Sequence, residues 1–174
     1  MAVLTVRRYG DPVLRRRAEP VREVTPEIRS LVADMIDTMY DEVGIGLAAP
    51  QIGVSLRLIV VADDVSRTVR ALVNPAIVEQ GGSVTAEEGC LSIPGIFAPV
   101  TRAAWVNVEA LDLDGRAVRL EARGLLARVF QHELDHLDGV LFIDRLEPLA
   151  RDRIKRRIRK EGLAETTRPG TPAL

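Results

Sequence analysis

Apolar residues recur along this chain in two periods, and the periods divide it into elements. Ile28, Leu31, Val32, Met35, Ile36, Met39 and Val43 repeat at three and four. That spacing puts one apolar stripe on a helix facing a core. Thr25 is its expected N-cap, Pro26 takes the first helical position, and Gly44 is expected to end it. The next segments read as strands. Leu56–Val61 is a dense β-branched run, and Ala71–Val73 and Ile77–Val78 are short candidates split by Asn74-Pro75. Ala104–Leu111 and Val118–Ala122 flank Asp114-Gly115, a hairpin turn signal. A second helix is expected from about Leu125 to Leu137, stopping near Gly139. A third starts near Pro148 and carries Arg151 to Lys160. Met1–Val24, punctuated by Asp11-Pro12 and Glu19-Pro20, reads as extended and irregular. The tail Thr166–Leu174 has two prolines and little apolar content, and is expected to be loosely held. With no repeat and no linker, residues 1–174 read as a single α+β domain.

Composition narrows the class. The 174 residues are 47% hydrophobic and 28% charged, the balance of a globular domain with one core. Aromatics are only 3%, so that core must rest on Leu, Val, Ile and Ala. A net charge of −1 argues against binding DNA through bulk electrostatics. No apolar stretch approaches membrane-spanning length, and the start lacks the apolar segment of a secretory signal. The expectation is a cytoplasmic protein with no membrane partner. The single cysteine, Cys90, excludes an internal disulfide and leaves either a buried apolar thiol or a chemical group.

The strongest chemical signal is His132-Glu133-Leu134-Asp135-His136. Positions i and i+4 share one helix face, so both imidazoles can bind one metal ion. Glu133 stands where its carboxylate can take a proton from an activated water. Leu125, Leu126, Val129, Leu134 and Leu137 supply the apolar face, and no proline or glycine interrupts. A catalytic site of this kind needs a third protein ligand and one open position. Metallopeptidases with this pentad place that ligand downstream, but no downstream histidine exists, and Glu147 and Glu161 sit in no motif. Cys90, in Glu87-Glu88-Gly89-Cys90-Leu91-Ser92, is the upstream candidate. A third segment, Gly44-Ile45-Gly46-Leu47-Ala48-Ala49-Pro50-Gln51, permits close backbone approach and offers the Gln51 amide to an oxyanion. From composition alone it reads rather as a tight helix-to-strand connection with no chemistry. Asp135 and Arg102 are candidates for an ion pair supporting the imidazoles. A small metallopeptidase and a closed structural metal site remain as alternatives.

Taken together, the three segments resemble peptide deformylases, marked by GxGLAAxQ, EGCLS and QHExDH in that order. Here they read Gly44 to Gln51, Glu88 to Ser92 and Gln131 to His136, and all match in full. The resemblance runs from about Leu4 to Lys160. It implies a fold of bent antiparallel β-sheets around a central HExxH helix, with an N-terminal and a C-terminal helix. It implies removal of the formyl group from N-formyl-methionyl nascent polypeptides. By resemblance, Cys90, His132 and His136 are metal ligands and Glu133 is general base and acid. Gln51 and the Leu91 N–H polarise the formyl oxygen, and Gly46 and Gly89 lie along the substrate backbone. Ile45, Leu125 and Val129 wall the methionine pocket. The implied metal is Fe²⁺, with Zn²⁺, Ni²⁺ or Co²⁺ able to replace it. The basic C-terminal helix resembles one that docks on the ribosome near the nascent-chain exit. The chain departs from some members in Gly95–Arg102, which lacks an arginine near Phe97 that those members place at the substrate rim.

Overall fold

The first apolar stripe forms helix α1, Pro26–Asp41, in a computed structural model that describes residues 2–164 and 173–174. Thr25 caps it, its hydroxyl oxygen accepting from the Ile28 N–H at 3.3 Å. Val32, Met35, Thr38 and Met39 are its buried face. The helix stops three residues before Gly44, and Val43, not Gly44, takes the left-handed turn with φ 58°. Val43 is therefore outside the stripe and 78% exposed. Gly44 serves a different need: a Cβ there would lie 2.7 Å from Leu91 Cδ1.

Among the described residues seven strands follow the helix. These are β1 (Gly46–Ala48), β2 (Leu58–Asp63), β3 (Thr68–Gly81), β4 (Val84–Cys90), β5 (Ile93–Arg102), β6 (Trp105–Leu111) and β7 (Ala117–Arg123). One antiparallel sheet has the order β1-β2-β3-β6-β7, and β4 and β5 pair as a second sheet. The two expected pieces around Asn74-Pro75 are one strand, β3, bent by register shifts after Val73 and after Ile77. Pro75 has no N–H for the ladder and sits in the first shift. Asn74, at φ 51°, turns its amide to the N-terminal segment, accepting from Val21 N and donating to Val21 O. The β6–β7 hairpin turns where expected, with Asp112 Oδ1 accepting from the Asp114 and Arg116 N–H groups.

The β4–β5 pair is the element the hydrophobic pattern did not reveal. β4 carries Glu87 and Glu88, and β5 carries two prolines and a glycine. Such a sequence suits a two-stranded ribbon, where Pro94 and Pro99 can occupy positions without a ladder bond.

Helix α2, Gly124–Leu137, enters the interior directly from β7. Ala127, Val129, Phe130, Leu134 and Leu137 pack on Ile59, Val61, Leu72, Val106 and Val108. Leu58 and Val60 point from the other face of β2 toward Met35, Met39 and Leu47. Both faces of β2 are covered, which is why its sequence is continuously apolar rather than alternating. A third cluster joins Cys90, Ile93 and Ile96 to Phe142 and Ile143 in the one-turn helix after α2. Helix α3, Pro148–Glu161, rests on that cluster through Ala150, Ile154 and Ile158. Leu149 is 75% exposed and takes no part in this contact.

Among the described residues no helix is long and apolar enough to cross a membrane. The expectation of a loosely held tail lies, for residues 166–172, outside the described residues. Ala173 and Leu174 depart from it, being 1% and 3% exposed.

Candidate metal centre

Strand alternation and helical periodicity meet at one point. On β4, Glu88 and Cys90 fall on the same face, two residues apart. On α2, His132 and His136 fall on the same face, four apart. The sheet ribbon and the helix pack so that Cys90 Sγ lies 3.4 Å from His136 Nε2, which lies 3.2 Å from His132 Nε2. The three donor atoms are all within 4.8 Å of one another, and all three residues are at most 1% exposed.

This donor set fits a tetrahedral metal. With metal–sulfur and metal–nitrogen bonds of about 2.3 and about 2.05 Å, tetrahedral edges are about 3.5 Å for S···N and about 3.3 Å for N···N. The Cys90–His136 and His136–His132 separations are close to these, and the third lies within 4.8 Å. Electrostatics point the same way. Burial pushes the Cys90 thiol up to about 12, with the Glu133 and Glu88 charges adding to the rise and the Ser92 and Ile93 amides opposing it. Only a cation at this point would hold it as the thiolate. Burial, reinforced by the His132, Arg102 and Arg15 charges, drives His136 well below 6.5 and keeps it a neutral ligand. Glu147 and Glu161 are exposed and outside the group. Among the described residues the group gathers three protein donors, the number a catalytic site uses, where a closed structural site takes four.

The expected Arg102–Asp135 pair is present at 2.7 Å, and Arg145 joins Asp135 at 2.8 Å. Neither, however, touches an imidazole. That contact belongs to Glu88, whose Oε1 accepts from His132 Nδ1 at 3.2 Å. An ionised carboxylate only accepts, so it sets the tautomer that leaves Nε2 bare. Burial raises the Glu88 carboxyl, but His132 and Arg102 outweigh it and hold it below 4.5. Arg102 Nε donates to Glu88 at 3.0 Å and Arg128 Nη1 at 3.3 Å. The sequence signal for Glu88 was its register: a charged residue sharing the inward face of a strand with a ligand. Glu88→Ala should weaken metal affinity by about 10- to 100-fold. It should also destabilise the fold by about 3–5 kcal/mol, because Arg128 stays buried without its carboxylate and Arg102 with only one of its two. Chelator competition and thermal unfolding read the two effects, and an unchanged affinity would remove Glu88 from the site.

Glu133 is fully buried, and neither carboxylate oxygen has a hydrogen-bond partner among the described residues. Burial and the Glu88 charge raise it well above 4.5, against the pull of Arg102. A buried polar group left open in this way is set to meet something else. Gly46 makes the approach possible: a Cβ there would fall 2.6 Å from Glu133 Oε1 and 2.9 Å from Val129 Cγ1. Gly46→Ala should therefore fold yet lose on the order of 100-fold in kcat by displacing the carboxylate. A fully active, folded variant would show that the close approach is dispensable.

Gln51 is locked in the same wall. Its Oε1 accepts from Ala48 N at 2.9 Å, and its Nε2 donates to Ser92 Oγ at 3.1 Å and faces Cys90 Sγ at 3.7 Å. Leu91 is fully buried beside it. The N-terminal segment clips this wall together, a role its irregular sequence did not announce. Arg7 N donates to Gln51 O, Tyr9 N to Ser92 O and Arg8 Nη1 to Leu91 O. Ile45 and Val129 join the apolar cluster next to the centre. Leu125, one turn before Val129, is 52% exposed and does not enclose the site. Gly89 has no room for a side chain because the Phe97 ring covers it.

Comparison with known proteins agrees with this geometry. The polypeptide deformylase family matches residues 3–152. The peptide deformylase of Halothermothrix orenii is 49% identical over 88% of this chain and 100% of its own. That of Neisseria gonorrhoeae is 51% identical over 92% and 96%. Among solved structures, the peptide deformylase of Thermus thermophilus superposes with a TM-score of 0.86 at 48% identity, covering 91% of this chain and 95% of that one. The Ehrlichia chaffeensis enzyme in complex with actinonin gives 0.86 at 37% identity, covering 92% and 99%. A cysteine from a β-ribbon meeting two histidines of a buried helix is thus set in the fold and sequence of one enzyme family, and the chain belongs to it: the polypeptide deformylases.

Proposed function

We propose that Cys90, His132, His136 and Glu133 carry out the reaction of this family: hydrolysis of the N-formyl group from the N-terminal formyl-methionine of nascent polypeptides. The observation that supports it most is the three-donor cluster standing beside a buried, unpartnered Glu133. Cys90, His132 and His136 would hold one divalent metal, Fe²⁺ by family resemblance, with Zn²⁺, Ni²⁺ or Co²⁺ as substitutes. When bound, such an ion supplies Lewis acidity, polarising a carbonyl and lowering the pKa of a coordinated water toward neutrality.

The chain's own groups do the rest. Glu133 takes a proton from the attacking water, and its raised affinity for protons suits it to hold one in a dry site. Oxygen adds to the formyl carbon, and the C–N bond breaks as Glu133 returns the proton to the leaving amine. Water and formamide become formate and a free methionyl amine. Gln51 Nε2 and the Leu91 N–H stabilise the oxyanion, Gln51 being held in place by Ala48 and Ser92. Ile45 and Val129 receive the methionine side chain, with Leu125 at the mouth of the pocket, and Gly46 and Gly89 border the peptide. Selectivity is steric. A formyl carbon bears only hydrogen, and walls built from buried Gln51, Cys90, Leu91 and Glu133 would crowd an acetyl methyl. The test is formate release from formyl-Met-Ala-Ser beside acetate release from acetyl-Met-Ala-Ser. Rates that fall by less than about tenfold on acetylation would contradict the steric reading.

A substrate made on ribosomes supports an activity in the cytoplasm, close to them. Helix α3 presents Arg151, Arg153, Lys155, Arg156, Arg157, Arg159 and Lys160 while Ile154 and Ile158 pack inward. We place its basic face against ribosomal RNA phosphate. Changing Arg153, Arg156, Arg157 and Lys160 to Glu should leave short-peptide turnover intact. It should reduce co-sedimentation with ribosomes at low salt by on the order of tenfold or more. Unchanged ribosome binding by the active variant would refute the assignment.

A further inference from the structure

The proposed substrate groove already holds a peptide, and the peptide is the chain's own. Ala173 forms a parallel bridge with Gly44. The Ile45 N–H donates to Ala173 O at 3.3 Å, and the Leu174 N–H donates to Gly89 O at 3.3 Å. The segment is thus bonded on both sides, to the residues leading into β1 and to the last turn of β4. β1 is an edge of the larger sheet, and β4 belongs to the two-stranded one. An extended peptide laid between two such edges satisfies main-chain groups of both, as in strand addition.

The side chains fit as well as the backbone. Leu174 joins the apolar cluster containing Val129, with Ile45 packed against it, and Ala173 joins the cluster containing Leu91. Leucine and methionine differ little in volume and exchange readily in apolar sites. Each partner neighbours the reactive centre: Gly89 precedes Cys90, and Ile45 precedes Gly46, which lies against Glu133. Earlier in the tail, Leu163 packs on the third cluster, and Ala164 stands against Gly95. The eight residues between Ala164 and Ala173 can span up to about 30 Å.

We propose that Ala173-Leu174 is a resident, self-supplied ligand of the peptide groove, so that a formylated nascent chain must displace it before being processed. This rests on the deformylase reading of the site. A tethered ligand competes at a high effective concentration and raises KM without touching the chemical step. If it fills the groove for about 70–90% of the time, the apparent KM is about three- to tenfold above that of the emptied groove.

Three proteins test this: the full chain, the chain ending at Ala164, and Leu174→Asp, which puts a charge into the apolar pocket. Each is assayed with formyl-Met-Ala-Ser. Both variants should show KM lowered about three- to tenfold with kcat within about twofold. The peptide Gly-Thr-Pro-Ala-Leu should inhibit the chain ending at Ala164 competitively. Hydrogen exchange should find the Ile45 amide protected in the full chain and faster in both variants. Should the shortened chain fail to fold, Leu174→Asp with its exchange data decides. Equal KM values with active enzyme overturn the tail proposal and leave the deformylase reading intact. Absence of formate release from all three, with Ile45 protected in the full chain and faster in both variants, fails the deformylase reading instead. A KM difference that grows with enzyme concentration would mean exchange between copies and would overturn the intramolecular form.

Discussion

Glu133→Ala takes up metal as the unsubstituted chain does and turns over formyl-Met-Ala-Ser about 10²- to 10⁴-fold more slowly, the usual loss when a positioned proton carrier is removed. Metal uptake survives because Glu133 is not among the three donors gathered within 4.8 Å. The variant should be at least as stable as its parent. In the parent, a carboxyl whose oxygens have no partner among the described residues is enclosed in the protein, at a cost in desolvation that alanine does not carry. A rise in melting temperature together with a fall in kcat is the signature of a group kept for chemistry rather than for folding. Parental turnover in the alanine variant would show that another group moves the proton.

Cys90→Ser should lose metal affinity by more than about 100-fold, exceeding the range for groups that merely support a ligand, and should lose activity with it. A serine hydroxyl stays neutral where the thiol would become an anion under the cation's field. Chelator competition measures the affinity, and absorption of a Co²⁺-loaded chain reports the sulfur–metal bond directly. Cys90→Asp restores the negative charge and should recover part of the metal content. Full metal content and activity in Cys90→Ala would leave His132 and His136 with some other third ligand.

The elements that could be read along the chain are those whose burial is periodic. The stripe of α1, the β6–β7 hairpin and the pentad on α2 each declare a face. β4 could not be read this way because its buried end, Glu88 to Cys90, serves the site, and on β5 Pro94 and Pro99 obscure the alternation of buried Ile96, Ala98 and Val100. Glu88 and Arg102 are charged yet buried, Glu88 paired with Arg102, Arg128 and His132, and Arg102 paired also with Asp135. Hydropathy treats such residues as surface. Spacing alone also left the third ligand open, since Cys90 reaches the histidines through the packing of β4 on α2. The resemblance of the three segments to one family supplied what periodicity lacked. Ala173-Leu174 was misread for another reason: its proline-rich approach suggests a loose tail, whereas two main-chain bonds and an apolar pocket decide its place.

The central claim is that one metal held by Cys90, His132 and His136 drives deformylation. The most direct test is a titration of the chelated, anaerobic full-length chain with Ni²⁺ while formate release from formyl-Met-Ala-Ser is followed. The account predicts no release before metal is added, a linear rise, and a break at about one equivalent, the stoichiometry of a single three-ligand site. Formate release from the metal-free chain, or a bound equivalent of metal that produces none, would contradict it.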